Sequence, residues 1–135
     1  METNRTIWRD TLKECIFCNL DNSRIEKENF LALSFKDLYP VTSGHTLVIP
    51  KRHIQSFFDL TGEEKKAMLE LLEFQKSDLI KKDKHITGFN IGINDGKDSG
   101  QTVMHCHIHL IPRRSGDMED PTGGVRGVIP EKQSY

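Results

Sequence analysis

An α+β domain, an antiparallel sheet with one long helix, is the fold class predicted for this chain of 135 residues by three observations. Runs of strand-forming residues recur between clusters of turn residues. A single stretch carries helical spacing behind a capping pattern, and strand-like runs lie on both sides of it.

Taken in order, Phe30 to Phe35 (FLALSF) alternates loosely and predicts a strand. Asp37 to Gly44 holds Pro40, Ser43 and Gly44 and predicts a loop. His45-Thr46-Leu47-Val48-Ile49 is a second strand, ended by Pro50. Thr61-Gly62-Glu63-Glu64 has capping-box form, in which the threonine and Glu64 satisfy each other's free N–H groups. Met68, Leu71, Leu72 and Leu79 follow at helical spacing as far as Lys81-Lys82, and Met68 is expected in the core.

Gly88 to Asn94 (GFNIGIN) predicts a third strand with Phe89, Ile91 and Ile93 on one side. Asp95 to Gly100 is a turn, and Val103 to Ile111 returns as a further strand. Three segments result: an N-terminal extension over 1–14 with Trp8, a domain over 15–114, and a Gly- and Pro-rich tail over 115–135.

Lys plus Arg number 19 and Asp plus Glu 20, a net charge of -1 that gives no support to a nucleic-acid polymer or membrane surface as partner. No apolar run approaches the ~20 residues needed to span a bilayer, and the polar N-terminus has no signal-peptide core. The three cysteines, Cys15, Cys18 and Cys106, fit a reducing compartment better than a disulfide framework, so a cytoplasmic protein is expected.

His105-Cys106-His107-Ile108-His109 carries the chemistry. In an extended strand alternate side chains share a face, so the three imidazoles would align about 6.6 Å apart while Cys106 and Ile108 enter a core. A neutral imidazole offers a nucleophilic nitrogen at neutral pH once a hydrogen bond holds the other nitrogen. Gly100-Gln101-Thr102-Val103 stands just before and supplies amide, hydroxyl and backbone donors for an anion. The set suits attack on phosphorus. A metal site is the competing reading of three histidines.

Asn94-x-Gly96 through Gly100-Gln101-Thr102-Val103-x-His105-x-His107-x-His109-x-x-Pro112-Arg113 resembles the signature of the histidine triad (HIT) superfamily. The block Gly44-His45-Thr46-Leu47-Val48-Ile49-Pro50-Lys51-x-His53 is similar to that family's other recurrent segment. The resemblance runs from about Cys15 to Arg114. It implies a HIT-like sheet extended across a homodimer, and cleavage at an α-phosphate of dinucleoside polyphosphates or related nucleotide conjugates.

By the same resemblance His107 is the nucleophile that becomes nucleotidylated, His109 assists proton transfer, and His45 supports the network behind them. Asn94, Gly100, Gln101, Thr102 and Val103 hold phosphates, and Asp37 holds the ribose hydroxyls. The third histidine and Gln101-Thr102 favour a dinucleoside polyphosphate hydrolase. Phosphoramidase or nucleotidyltransferase activity is the alternative, and a nucleotide-sensing scaffold is the rival from another class.

Cys15-x-x-Cys18 is the close thiolate pair that tetrahedral zinc favours, with a redox pair or two core thiols as alternatives. Resemblance to bacterial family members implies that His53 and His105 complete a structural zinc site. Cys106 is expected to be buried, and His85 is assigned no role.

Overall fold

The structure, a computed structural model, describes residues 13–135. All but the last two residues of the expected extension, Trp8 included, lie outside the described residues.

Five strands form an antiparallel sheet: β1 (Ile25–Glu28), β2 (Ala32–Lys36), β3 (Thr46–Pro50), β4 (Ile86–Gly92) and β5 (Ile108–Arg114), in the order β1-β2-β3-β5-β4. Among the described residues one long helix, α1 (Gly62–Lys82), connects β3 to β4. The expected α+β class is the one observed. β1 is absent from the sequence reading because its residues, Ile-Glu-Lys-Glu, are polar; only its pairing with β2 makes it a strand.

Helix α1 starts where its cap directs. Thr61 Oγ1 accepts from Glu64 N at 3.0 Å and Glu64 Oε1 accepts from Thr61 N at 2.9 Å. Glu64 is 4% exposed and also receives two bonds from the Arg52 guanidinium, at 2.8 and 3.0 Å. That guanidinium, helped by Thr61 N–H, holds the Glu64 carboxyl down to about 2. The cap therefore also ties the helix start to the segment carrying His53.

The helix lays Ala67, Met68 and Leu71 on one face of the sheet, against Ala32, Val48 and Ile108. Cys106 enters the same cluster, as expected. Across the sheet Phe35, Leu47 and Ile49 pack with Cys15 and Phe17 of the N-terminal segment. Burying each large apolar side chain contributes about 1.5–3 kcal/mol. The sheet thus has a helix face and a second face roofed partly by the Cys15 segment.

The chemistry lies on that second face because of strand order. β5 is an interior strand, and His109 stands between Leu47 of β3 and Gly92 of β4. One expectation needs correction. The histidine strand begins only at Ile108, so His105 and His107 precede it rather than lying on it. The backbone leaves the ladder there because Cys106 N donates to Ile54 O at 2.7 Å, in the segment after His53. The His107 and His109 ring centroids come to 5.0 Å, less than the ~6.6 Å backbone repeat between alternate strand residues. In β4, Phe89 and Ile93 are partly buried against the core while Ile91 is 51% exposed.

Candidate functional site

Hydrogen-bond partners decide which nitrogen of each histidine holds a proton, because a carbonyl can only accept and an N–H can only donate. His107 Nδ1 lies 2.8 Å from His105 O, so Nδ1 carries the proton and Nε2 is left with its lone pair. The ring is buried, edge-on to Phe17 at 5.1 Å, and burial pushes its pKa down. At neutral pH it is an uncharged imidazole with a fixed tautomer.

His45 and His109 form a directed chain. Val41 N donates to His45 Nδ1 at 3.0 Å, which leaves the His45 proton on Nε2. That Nε2–H donates to His109 Nδ1 at 2.9 Å. The His109 proton is then on Nε2, a buried atom with no hydrogen-bond partner. A buried donor without a partner is costly, of order 1–3 kcal/mol, and such a group is retained where a ligand completes it.

The β2–β3 loop supports this chain through Asp37, whose Oδ2 is 3.6 Å from His45 Nε2 while Oδ1 accepts from Tyr39 N at 2.8 Å. Asp37, His45 and His109 could superficially pass as metal ligands. A cation bound at His45 Nε2 would have to displace its proton while Nδ1 also lacks one, leaving an imidazolate. The trio is better built to pass a proton than to hold a metal.

Burial pushes the His109 pKa down to about 4, with the His107 and His45 rings adding to the effect and Asp37 opposing it. His45 is also lowered by burial. A solvated imidazole titrates near ~6.5, so the unfolded chain takes up protons first as pH falls. The stability contributed by the neutral pair is complete above ~6.5 and is lost as pH drops toward 4. Thermal melts should show Tm falling steadily below pH 6.5, with a shallower fall in His109→Gln. A Tm unchanged down to pH 4.5 would contradict the buried, neutral pair.

His105 serves another cluster. Its Nε2 donates to Pro50 O at 2.8 Å, so Nδ1 presents a lone pair 3.5 Å from both Cys15 Sγ and Cys18 Sγ. His53 Nδ1 is 3.2 Å from Cys18 Sγ. The four donor atoms of Cys15, Cys18, His53 and His105 lie within 4.8 Å of one another. Cys18 N also donates to Cys15 Sγ at 3.3 Å, the type of bond that steadies a thiolate. The donor set fits zinc: two sulfurs, two neutral imidazole nitrogens, and a carbonyl fixing one ring from behind. Without a cation, burial and the neighbouring Cys15 push the Cys18 thiol up to about 12.

Gly100, Gln101, Thr102 and Val103 form the approach to His105. The Gln101 side chain is engaged within the loop: Oε1 accepts from Gly96 N at 2.8 Å, and Nε2 donates to Gln55 O and Val103 O at 3.0 and 3.1 Å. It shapes the loop and leaves no side-chain donor spare. Gly100 takes φ +98°, Thr102 is exposed, and Val103 packs on the Cys15–Phe17 cluster. Asn94 lines a cavity together with His45 and His109.

Several contacts absent from the sequence reading matter here. Asp95 accepts from Ser56 Oγ and Phe57 N and so fixes the segment after His53. Asn90 Oδ1 accepts from Arg113 Nη1 at 2.7 Å. Arg113 also grips Asp117 with two bonds at 2.7 and 2.8 Å. Asp95-Gly96 was readable only as a turn and Arg113 only as the end of a motif, and none of these residues carries a signal of its partner.

The model of the HIT domain family matches residues 21–116. Over 86 residues the chain is 45% identical to the nitrilase and fragile histidine triad fusion protein NitFhit of Caenorhabditis elegans, covering 64% of this chain and 19% of that one. It is 39% identical over 90 residues to the asymmetrical bis(5'-nucleosyl)-tetraphosphatase of Schizosaccharomyces pombe, covering 67% of this chain and 49% of that one. The chain thus spans half or less of the length of both proteins. A zinc-bound histidine triad family protein from Mycobacterium smegmatis superposes with a TM-score of 0.70 at 35% identity, covering 80% of this chain and 81% of that structure.

Proposed function

The chain belongs to the HIT domain family, and from that premise we propose that it hydrolyses dinucleoside polyphosphates or related nucleotide conjugates at an α-phosphate. The observation that carries this reading is a pair of adjacent imidazoles in opposite roles. His107 offers a bare Nε2, and His109 offers an Nε2–H with nothing to bond.

In the proposed reaction the His107 Nε2 lone pair attacks the α-phosphorus. An N–P bond forms as the bond from phosphorus to the leaving oxygen breaks. His109 Nε2–H donates to an oxygen that gains charge at that step, and the His45–Val41 chain holds its tautomer. Water then attacks the phosphorus and releases a proton, the N–P bond breaks with its electron pair returning to His107 Nε2, and a nucleoside monophosphate leaves. Asp37 is assigned to the ribose hydroxyls. Asn94, Gly100, Thr102 and Val103, with the loop that Gln101 shapes, are assigned to the phosphates.

Cys15, Cys18, His53 and His105 would hold a zinc ion. Four protein ligands leave no open position, so its contribution is structural. These ligands would tie the N-terminal segment to His105, whose carbonyl fixes the His107 tautomer. Residues 15–114 are proposed as the catalytic domain. A homodimer joined at a sheet edge is the proposed assembly, since β1 and β4 each present one unpaired side. Among the described residues no helix is long and apolar enough to cross a membrane.

The test is turnover of diadenosine tetraphosphate with chromatography of the products. AMP plus ATP, at many equivalents per protein, is expected. Two ADP would mean attack elsewhere and would overturn the mechanism. Tight AMP binding without turnover would move the assignment to a phosphoramidate substrate or a nucleotide sensor.

A further inference from the structure

Phe17 stands between the two cysteines of the metal cluster and packs directly on the His107 ring. The turn that carries it is pinned: Cys18 N donates to Cys15 Sγ at 3.3 Å, and Asn19 N donates to Cys15 O at 3.2 Å. The Phe17 ring lies 5.1 Å from the His107 ring at 85°, and 6.0 Å from the His105 ring at 71°. Behind it Phe35 is 5.3 Å away, and the Arg24 guanidinium covers the Phe35 ring at 5.3 Å. Arg24 Nη2 is itself fixed by donating to Lys36 O at 2.9 Å. Phe17 is 9% exposed and Phe35 1%, so both rings are committed to packing. The column Arg24–Phe35–Phe17 ends on the imidazole of His107.

That imidazole needs a second support. Its hydrogen bond to His105 O, at 2.8 Å, places Nδ1, but one bond does not fix a ring. A hydrogen bond keeps most of its strength over tilts of about 30°, and such a tilt about Nδ1 carries Nε2 by about 1 Å. Displacing a reacting atom that far costs about 10²-fold in rate. Phe17 and His109, the latter at 5.0 Å, both bear on the ring and oppose the tilt. Two of the contacts that hold His107 therefore come from the cysteine–histidine cluster: the His105 carbonyl and the ring between Cys15 and Cys18.

We infer that Phe17 is a positioning residue for the reaction, which holds the plane of the His107 imidazole so that Nε2 stays in line with the phosphorus. The inference rests on the nucleotide-cleaving reading of His107. It assigns the Cys15–Cys18 turn a role in aiming the nucleophile as well as in holding a metal. Phe35 and Arg24 act through Phe17, as its backing.

The experiment compares wild type, Phe17→Leu and Phe17→Ala, the leucine variant keeping apolar bulk while losing the flat ring. Rapid acid quench at saturating diadenosine tetraphosphate measures the rate constant for forming the nucleotidylated protein. It is expected to fall about tenfold in Phe17→Leu and about 10²-fold in Phe17→Ala. AMP affinity by calorimetry and zinc content should stay at their wild-type values. An unchanged rate constant overturns the inference. Weaker AMP binding with the saturating rate intact also overturns it, by assigning Phe17 to the nucleotide. A fall in rate accompanied by loss of zinc overturns it too, by assigning Phe17 to the metal cluster alone. If Phe17→Ala does not fold, Phe17→Leu decides.

Long-range proton–nitrogen NMR of the imidazoles at pH 8, without substrate, separates this inference from the hydrolase reading. The His107 signals, assigned by their loss in His107→Ala, should show one narrow Nδ1–H tautomer in wild type. In both Phe17 variants they should broaden or shift toward the second tautomer. If wild type forms no adduct, the hydrolase reading fails, and that spectral change still supports Phe17 as the support of the ring. Identical His107 signals in wild type and variants overturn the inference.

Discussion

His107→Ala is expected to reduce turnover of diadenosine tetraphosphate by about 10⁴-fold or more, because the variant lacks the nitrogen proposed to form the N–P bond. Nucleotide binding should survive, since the residues assigned to ribose and phosphates remain. The contrast with His109→Gln is informative. That variant keeps the nucleophile and loses the partnerless Nε2–H, so a smaller loss of about 10²–10⁴-fold is expected. Trapping the nucleotidylated protein by rapid acid quench should succeed with wild type and fail with His107→Ala. Appreciable turnover by His107→Ala, or a trapped adduct on it, would remove His107 from the reaction. The tautomer argument would then describe only a packed ring.

The second large effect concerns zinc. Protein purified without chelator should contain one zinc per chain by elemental analysis, and Cys18→Ser should lose it. Binding by a complete Cys₂His₂ set contributes on the order of 10 kcal/mol to folding at neutral pH. A strong chelator should therefore lower Tm by more than about 10 °C. The effect should also reach the site, because His107 Nδ1 is held by the carbonyl of His105. Zinc-free protein is expected to lose turnover before it loses secondary structure. Absence of zinc, together with a Tm indifferent to chelator, would leave the cluster as two thiols and two imidazoles.

Much of this was readable in the chain because the signals are local. The Thr61–Glu64 cap occupies four consecutive residues and starts α1 where it should. Strands β2 and β3 stand within a few residues of their expected spans, since β-branched and aromatic residues bounded by Pro and Gly are a short-range pattern. The triad and the Cys15–Cys18 pair announce themselves by residue type and spacing.

Division of labour among like residues came from the family resemblance, and residue type and spacing alone could not decide it. Five of the six histidines fall in two clusters, and nothing local separates His105, aimed at sulfur, from His107 two residues later. Pro50 O and Val41 N decide the tautomers, and both reach their histidines through sheet pairing and loop packing. β1 is polar by composition and is a strand only because β2 offers it an edge.

The tail is the plainest case. Its composition marked only a Gly- and Pro-rich tail, yet Gly123 and Gly127 are needed so that Gln133 can fold back against them. Residue type and spacing determined the α+β class, the helix cap and the candidate chemistry, because these are properties of neighbours in sequence. Proton positions, the separation of the metal cluster from the proton chain, and the cavity were decided by tertiary structure. The His107 and His45 tautomers are set by backbone groups two and four residues away, but only the folded conformation aims them at the rings; the others depend on contacts between segments far apart in the chain.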